Sequence, residues 1–265
     1  MPISHKYKLI FIHIPKAAGT SIEKYMDIAE DDRVFNTVNL TGALLKHFTA
    51  SQIQKYVSTK IYDSYETFTV IRNPWDRMVS MYEFSKQYIM PTICNFNLDF
   101  ILESYSFEIF IELVEQKYLE PYFRDQLSYI KNSRNQIIVN NIFRFEDLGK
   151  AQNFLQKHLK RKEKLELENR TLHRKHYSQY YDDKLKTRVQ KIFQEEIDFF
   201  KYKFEDNGKF KINYETNRKY ILLYKCIFSG VLVIYNSVIF SMIHWDILLN
   251  LFFYLAILVI LSTII

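Results

Sequence analysis

Apolar positions along the chain fall into two patterns. Unbroken runs, Leu9 to Ile14 and Phe68 to Ile71, read as buried strands. With the stretch IIVNNIF they predict strands over 8–14, 67–72 and 136–143. Elsewhere apolar residues recur at three- and four-residue spacing. That spacing predicts helices over 20–28, 74–90, 107–117, 121–131, 147–159 and 179–200, and a short one over 50–57 behind Thr49. Asn73 is a good N-cap, and Pro74 sits at the favoured first helical position. Strands alternating with helices imply an α/β fold, a parallel sheet with helices on both faces. Such sheets take ligands at the carboxyl ends of their strands.

The C-terminal pattern differs. Residues 221–243 and 247–265 are two apolar runs separated by His244, Trp245 and Asp246. Each is near the roughly 20 residues that cross a bilayer core. They predict a membrane-associated helical hairpin over 216–265 behind a globular domain over 1–215. Lys225 is expected to snorkel to the interface. Arg218 and Lys219 flank the first run, which puts the globular domain on the cytoplasmic side. Met1 to Lys8 is polar, so no signal peptide is expected.

With 265 residues, 48 % of them hydrophobic, the chain can build one sizeable core and an extra module. Its formal net charge of +6 suits an anionic ligand or membrane face. No nucleic-acid motif accompanies that charge, so no nucleic-acid partner is expected. Cys94 and Cys226 form neither a disulfide framework nor a metal-ligand spacing, and no metal is expected.

Two segments carry the chemistry. In LIFIHIPKAAGTSI a strand runs into a loop holding Lys16, Ala18, Gly19, Thr20 and Ser21, then into a helix. Backbone N–H groups at a helix start, a flexible glycine, a lysine and two hydroxyls make an anion site. The lysine precedes the glycine, unlike the G-x-x-x-x-G-K-[ST] order of Walker A nucleoside triphosphatases. In TFTVIRNPWDRMVSMYEF, Arg72 ends a strand and Ser80 lies about two turns along the next helix. An arginine fork and a hydroxyl suit a phosphate monoester. Arg77 reads as a helix-surface residue paired with Asp76 or Glu83.

The order P-K-x-x-G-T-S resembles the 5′-phosphosulfate loop of sulfotransferases that use 3′-phosphoadenosine 5′-phosphosulfate (PAPS). R-N-P-x-D-R-x-x-S-x-Y resembles the 3′-phosphate motif of the carbohydrate sulfotransferase family, sulfotransferase family 2. PYFRDQLSYIKN, IIVNNIFRFEDL and the segment 168–204 resemble its later sections, so the resemblance covers nearly all of 8–205. It implies a P-loop-like sulfotransferase fold and a sulfuryl transfer from PAPS to a hydroxyl. Lys16, Ala18, Gly19, Thr20 and Ser21 would hold the 5′ group, and Arg72 and Ser80 the 3′-phosphate. A carbohydrate acceptor follows from the family, and a membrane anchor points to a lipid-linked sugar or glycolipid.

Sulfuryl transfer needs a base at the acceptor hydroxyl and positive charge at the leaving phosphate. Lys16 can supply the charge. His47, in LLKHFTASQI, is the expected base, because histidine titrates near neutrality and Thr49 behind it reads as a helix cap. Glu23 is a weaker alternative. His13 is expected to be buried and structural. Arg144 is expected to pair with Glu146 or Asp147. His173, Arg174, Lys175 and His176 form a basic cluster open to either a ligand or a surface role. Two rivals stand beside this reading: a nucleotide-dependent kinase on a similar scaffold, and a membrane-tethered nucleotide-binding or scaffold protein without turnover.

Overall fold

Leu9–Ile12 (β2) has every side chain buried, and it forms the spine of a four-stranded sheet in a computed structural model of the chain. The structure describes residues 2–27, 47–89, 105–119, 123–167, 175–207 and 224–225. The strand order is β1-β2-β3-β4, with β1 at Ile3–Ser4, β3 at Glu66–Ile71 and β4 at Asn141–Arg144. β2, β3 and β4 are mutually parallel, as the alternation of strands and helices predicts. β1 pairs antiparallel on the edge of β2. It is a two-residue strand inside a polar stretch, too short to leave a period-two signal.

Register is set by aromatic and β-branched neighbours on the buried sheet. Phe11 lies opposite Phe68, their rings 4.9 Å apart, and Thr69 Oγ1 donates to Ile12 O at 2.7 Å. β4 is shorter than the expected 136–143. Asn132 Oδ1 accepts from Arg134 and Gln136 N–H, closing a turn there, and Thr67 bonds to Asn140 ahead of the ladder.

The helices follow the sequence closely where their caps are strong. Gly19–Tyr25 (α1) follows β2. Ala50–Val57 (α2) opens on a full capping box between Thr49 and Gln52. Thr59–Ser64 (α3) leads into β3. Pro74–Phe84 (α4) starts behind Asn73, whose Oδ1 accepts Trp75 N–H at 3.1 Å. Its continuation over Ser85–Ile89 is π-helical. Phe107–Glu115 (α5) is capped by Ser106, and Leu148–Leu159 (α7) follows β4. Two expectations are corrected. The span 121–131 is helical only over Leu127–Ile130 (α6) among its described residues. The span 179–200 divides into a 3-10 turn at Tyr177–Tyr180, α8 at Asp183–Ile192 and α9 at Gln194–Phe200. Asp182 caps α8 by accepting Leu185 N–H at 2.7 Å, and so restarts the helix.

The chain forms two compact units, 1–83 with 122–212 and 84–121 with 213–265. The first holds the sheet. In the second, α5 buries Phe107, Ile109, Phe110, Ile111, Leu113 and Val114. There Tyr224 is fully buried with its ring 5.1 Å from that of Tyr105. Lys225 pairs with Glu112 at 3.5 Å. Among the described residues no helix is long and apolar enough to cross a membrane. Apart from Tyr224 and Lys225, the runs 221–243 and 247–265 lie outside the described residues, as do Cys94, Cys226, His173 and Arg174.

Candidate active site

β2 and β3 are parallel, so the segments that follow them leave the sheet at the same edge. The first is the loop from His13 to Ala18. Lys16 and Ala18 both take positive φ, 67° and 65°, while Ala17 between them does not. Backbone of alternating hand turns successive N–H groups toward one side and makes an anion-binding concavity. Holding two non-glycine residues there costs on the order of 1–2 kcal/mol each, so the surrounding contacts must enforce it. Lys16 and Ala18 are half-buried, Gly19 and Ser21 are buried, and Thr20 is exposed.

Gly19 has a reason other than ligand approach. A Cβ at this position would lie 1.8 Å from His13 Nε2. The missing side chain makes room for the His13 imidazole, whose Nδ1 bonds to Glu23 Oε1 at 2.6 Å. His13 is buried as expected. Glu23 is committed to it, which weakens Glu23 as an alternative base.

His47 stands beside this pair. Its ring is 4.4 Å from the His13 ring, nearly perpendicular, and its Nδ1 lies 3.0 Å from His13 O. A carbonyl only accepts, so Nδ1 carries the hydrogen. In the neutral ring the lone pair is then on Nε2, the arrangement a general base requires.

The second segment begins at Arg72, which is buried at 7 % exposure. Its Nε donates to Asp76 Oδ2 at 2.7 Å, its Nη1 donates to Lys16 O at 2.9 Å, and its guanidinium covers the Phe145 ring at 4.0 Å. Lys16 and Arg72, far apart in sequence, are therefore joined directly. Ser80 is half-buried on α4.

A buried polar network backs this edge. Gln126 pairs with the Arg72 peptide from both sides: Arg72 N donates to Gln126 Oε1, and Gln126 Nε2 donates to Arg72 O, each at 2.8 Å. Gln126 N–H donates to Glu196 Oε2, and its Nε2 also reaches Glu196 Oε1 at 3.2 Å. Glu196 is wholly buried, and burial pushes its carboxyl up to about 7 against the opposing pull of Arg77 and of the Gln126 hydrogen bonds. Arg77 is a correction. It is fully buried, with Nε donating to Pro15 O at 3.1 Å and Nη2 to Arg124 O at 2.7 Å, over the Phe123 ring. No local pattern marks this burial, because its partners, Pro15 O and Arg124 O, lie on other segments of the chain.

Arg144 is corrected as well. It donates to Phe200 O and covers the Tyr202 ring, while Glu146 accepts Asn73 N–H at 2.6 Å and Asp147 pairs with Lys150. Lys175 is exposed, and His176 bonds to Ser178 Oγ at 2.9 Å as the cap of the turn 177–180. A concavity lined by Tyr62, Asp63, Glu66 and Asn140 opens at the start of β3, the opposite end of the sheet from these loops. Among the described residues no group of His, Cys, Asp or Glu is arranged to hold a metal ion.

Three parallel strands thus place a lysine loop of alternating hand beside an arginine loop, the two linked at the strand ends by the Arg72–Lys16 hydrogen bond. The model of the sulfotransferase family matches residues 1–203, and the chain belongs to that family. Its activity is accordingly that of a transferase of sulfuryl groups. No curated protein and no solved structure is significantly similar to the chain.

Proposed function

We infer that the protein moves a sulfuryl group from PAPS, the donor usual in its family, to a hydroxyl of a carbohydrate or lipid-linked sugar. The observation that carries this is the 2.9 Å bond from Arg72 Nη1 to Lys16 O. It joins the loop resembling a 5′-phosphosulfate site to the loop resembling a 3′-phosphate site, so one nucleotide can span both. Lys16, Ala18, Gly19, Thr20 and Ser21 form the 5′ side, and Arg72 and Ser80 the 3′ side. Bound donor supplies an activated sulfuryl group with adenosine 3′,5′-bisphosphate as leaving group. Lys16 offsets the negative charge that grows on the leaving 5′-phosphate oxygen. His47 takes the acceptor hydroxyl proton on Nε2 as the oxygen–sulfur bond forms. The C-terminal runs anchor the protein in a membrane with the catalytic unit facing the cytoplasm, where a lipid-linked acceptor can be met.

Labelled-sulfate transfer from PAPS to lipid-linked and free glycans, run beside an ATP hydrolysis assay, tests the reading. Transfer without ATP turnover is expected. ATP hydrolysis with no sulfate transfer would replace this reading with a kinase-like one.

A further inference from the structure

Arg72 and Arg77 each donate to a carbonyl of the lysine loop, and the two carbonyls are consecutive. Arg77 Nε holds Pro15 O and Arg72 Nη1 holds Lys16 O. In a trans peptide the C=O and the following N–H point in opposite directions. Drawing Pro15 O toward Arg77 therefore turns Lys16 N–H away from that arginine. Drawing Lys16 O toward Arg72 turns Ala17 N–H away in the same manner. The alternating φ signs at Lys16, Ala17 and Ala18 are the backbone counterpart of this hold.

Arg77 is poorly explained as a stabilising residue. It is a fully buried cation, and its Nη1 has no hydrogen-bond partner among the described residues. Burying a charge with an orphaned donor works against stability. Its other two nitrogens are spent on main-chain carbonyls, Pro15 O and Arg124 O. The Arg124 carbonyl is followed by Asp125 and by Gln126, whose side chain grips the Arg72 peptide. One guanidinium thus spans the lysine loop and the segment that fixes the arginine loop.

We propose that Arg77 is a positioning residue for the donor's 5′ group: by holding the Pro15 carbonyl it aims the peptide N–H groups of the lysine loop at that group. This rests on the sulfotransferase reading. Arg77 does not touch the nucleotide and acts through the loop. The planar fork is what the role needs, because a lysine ammonium cannot serve Pro15 O and Arg124 O in the same geometry.

The test is calorimetric titration of the full chain with adenosine 3′,5′-bisphosphate, adenosine 5′-phosphate, adenosine 3′-phosphate and adenosine. For Arg77→Lys the affinities for the bisphosphate and for the 5′-phosphate are expected to fall about ten-fold. The affinity for the 3′-phosphate is expected to stay within two-fold. A role in folding alone would weaken all four ligands together, and that result, or no change in any, overturns the Arg77 assignment. Titrated at pH 8, where the Glu196 carboxyl is mostly ionised, Glu196→Gln removes the carboxylate charge facing Arg77 and is read the same way should Arg77→Lys fail to fold. It is expected to show the same selectivity with about a three-fold loss, and equal loss for every ligand overturns the assignment. A wild-type protein that binds the bisphosphate no better than adenosine defeats the sulfotransferase reading itself, which distinguishes the two failures.

Discussion

At the scale of single residues, the site depends on what is packed behind it. Gly19 is the sharpest case. Its Cα lies against the His13 ring, so Gly19→Ala must expel the imidazole and break its 2.6 Å bond to Glu23. Overpacking of this kind typically costs about 1–3 kcal/mol. Chemical denaturation should show a loss in that range, and an unchanged midpoint would mean the ring moves freely. His47 is the opposite case, a residue whose loss should spare the fold. Removing a positioned base commonly lowers rate by about 10²–10⁴-fold. His47→Ala should therefore lower turnover strongly and leave bisphosphate affinity nearly unchanged in a sulfate-transfer assay. Near-normal turnover removes His47 from the mechanism. The motif residues Lys16, Gly19, Arg72 and His47 were visible in the sequence because local order specifies them. Arg77, Gln126 and Glu196 were not, because their partners lie on segments that only tertiary folding brings together.

At the scale of elements, strong local chemistry decided which predictions held. Caps at Thr49, Asn73 and Ser106 fixed the starts of α2, α4 and α5. Apolar periodicity alone joined α8 to α9, because both helices keep one buried stripe and the break at Phe193 does not interrupt it. Strand β4 was misplaced because 136–140 is apolar in part yet bonds in a turn ahead of the ladder. The buried carboxyl on α9 gives this scale its prediction. Glu196 has its proton affinity raised from 4.5 to about 7, chiefly by burial, with Arg77 and Gln126 pulling the other way and Asp125 adding to the rise; Tyr202 also lies in its field. The folded state then holds the proton at a pH where the unfolded chain has released it. That contribution to stability is complete below 4.5 and is lost as pH rises to about 7. At roughly 1.4 kcal/mol per pKa unit, the loss is on the order of 3 kcal/mol. Glu196→Gln cannot ionise, so denaturation at pH 5 and pH 8 should show wild type losing stability relative to the variant. A difference that does not vary with pH contradicts the raised value.

At the scale of the whole molecule, the chain forms two units. The first carries the lysine and arginine loops, and the second gathers α5 with Tyr224. Tyr224 is fully buried there, so Tyr224→Ala should destabilise the second unit by about 3 kcal/mol, as for other large aromatic truncations. Hydrogen exchange should report faster opening of α5, with bisphosphate binding in the first unit unchanged. Faster exchange in β2 or β3 would show that the units do not separate in this way. The family was legible in the residue order of the two loops, P-K-x-x-G-T-S and R-N-P-x-D-R-x-x-S-x-Y. The central claim is that those two loops bind one nucleotide bearing phosphates at both ends of its ribose. Calorimetric titration of the full chain with adenosine 3′,5′-bisphosphate against adenosine 5′-phosphate tests it most directly. The bisphosphate should bind at least about ten-fold tighter, roughly 1.4 kcal/mol, and Arg72→Ala should erase most of that preference. Equal affinity of the wild-type protein for the two nucleotides would contradict it.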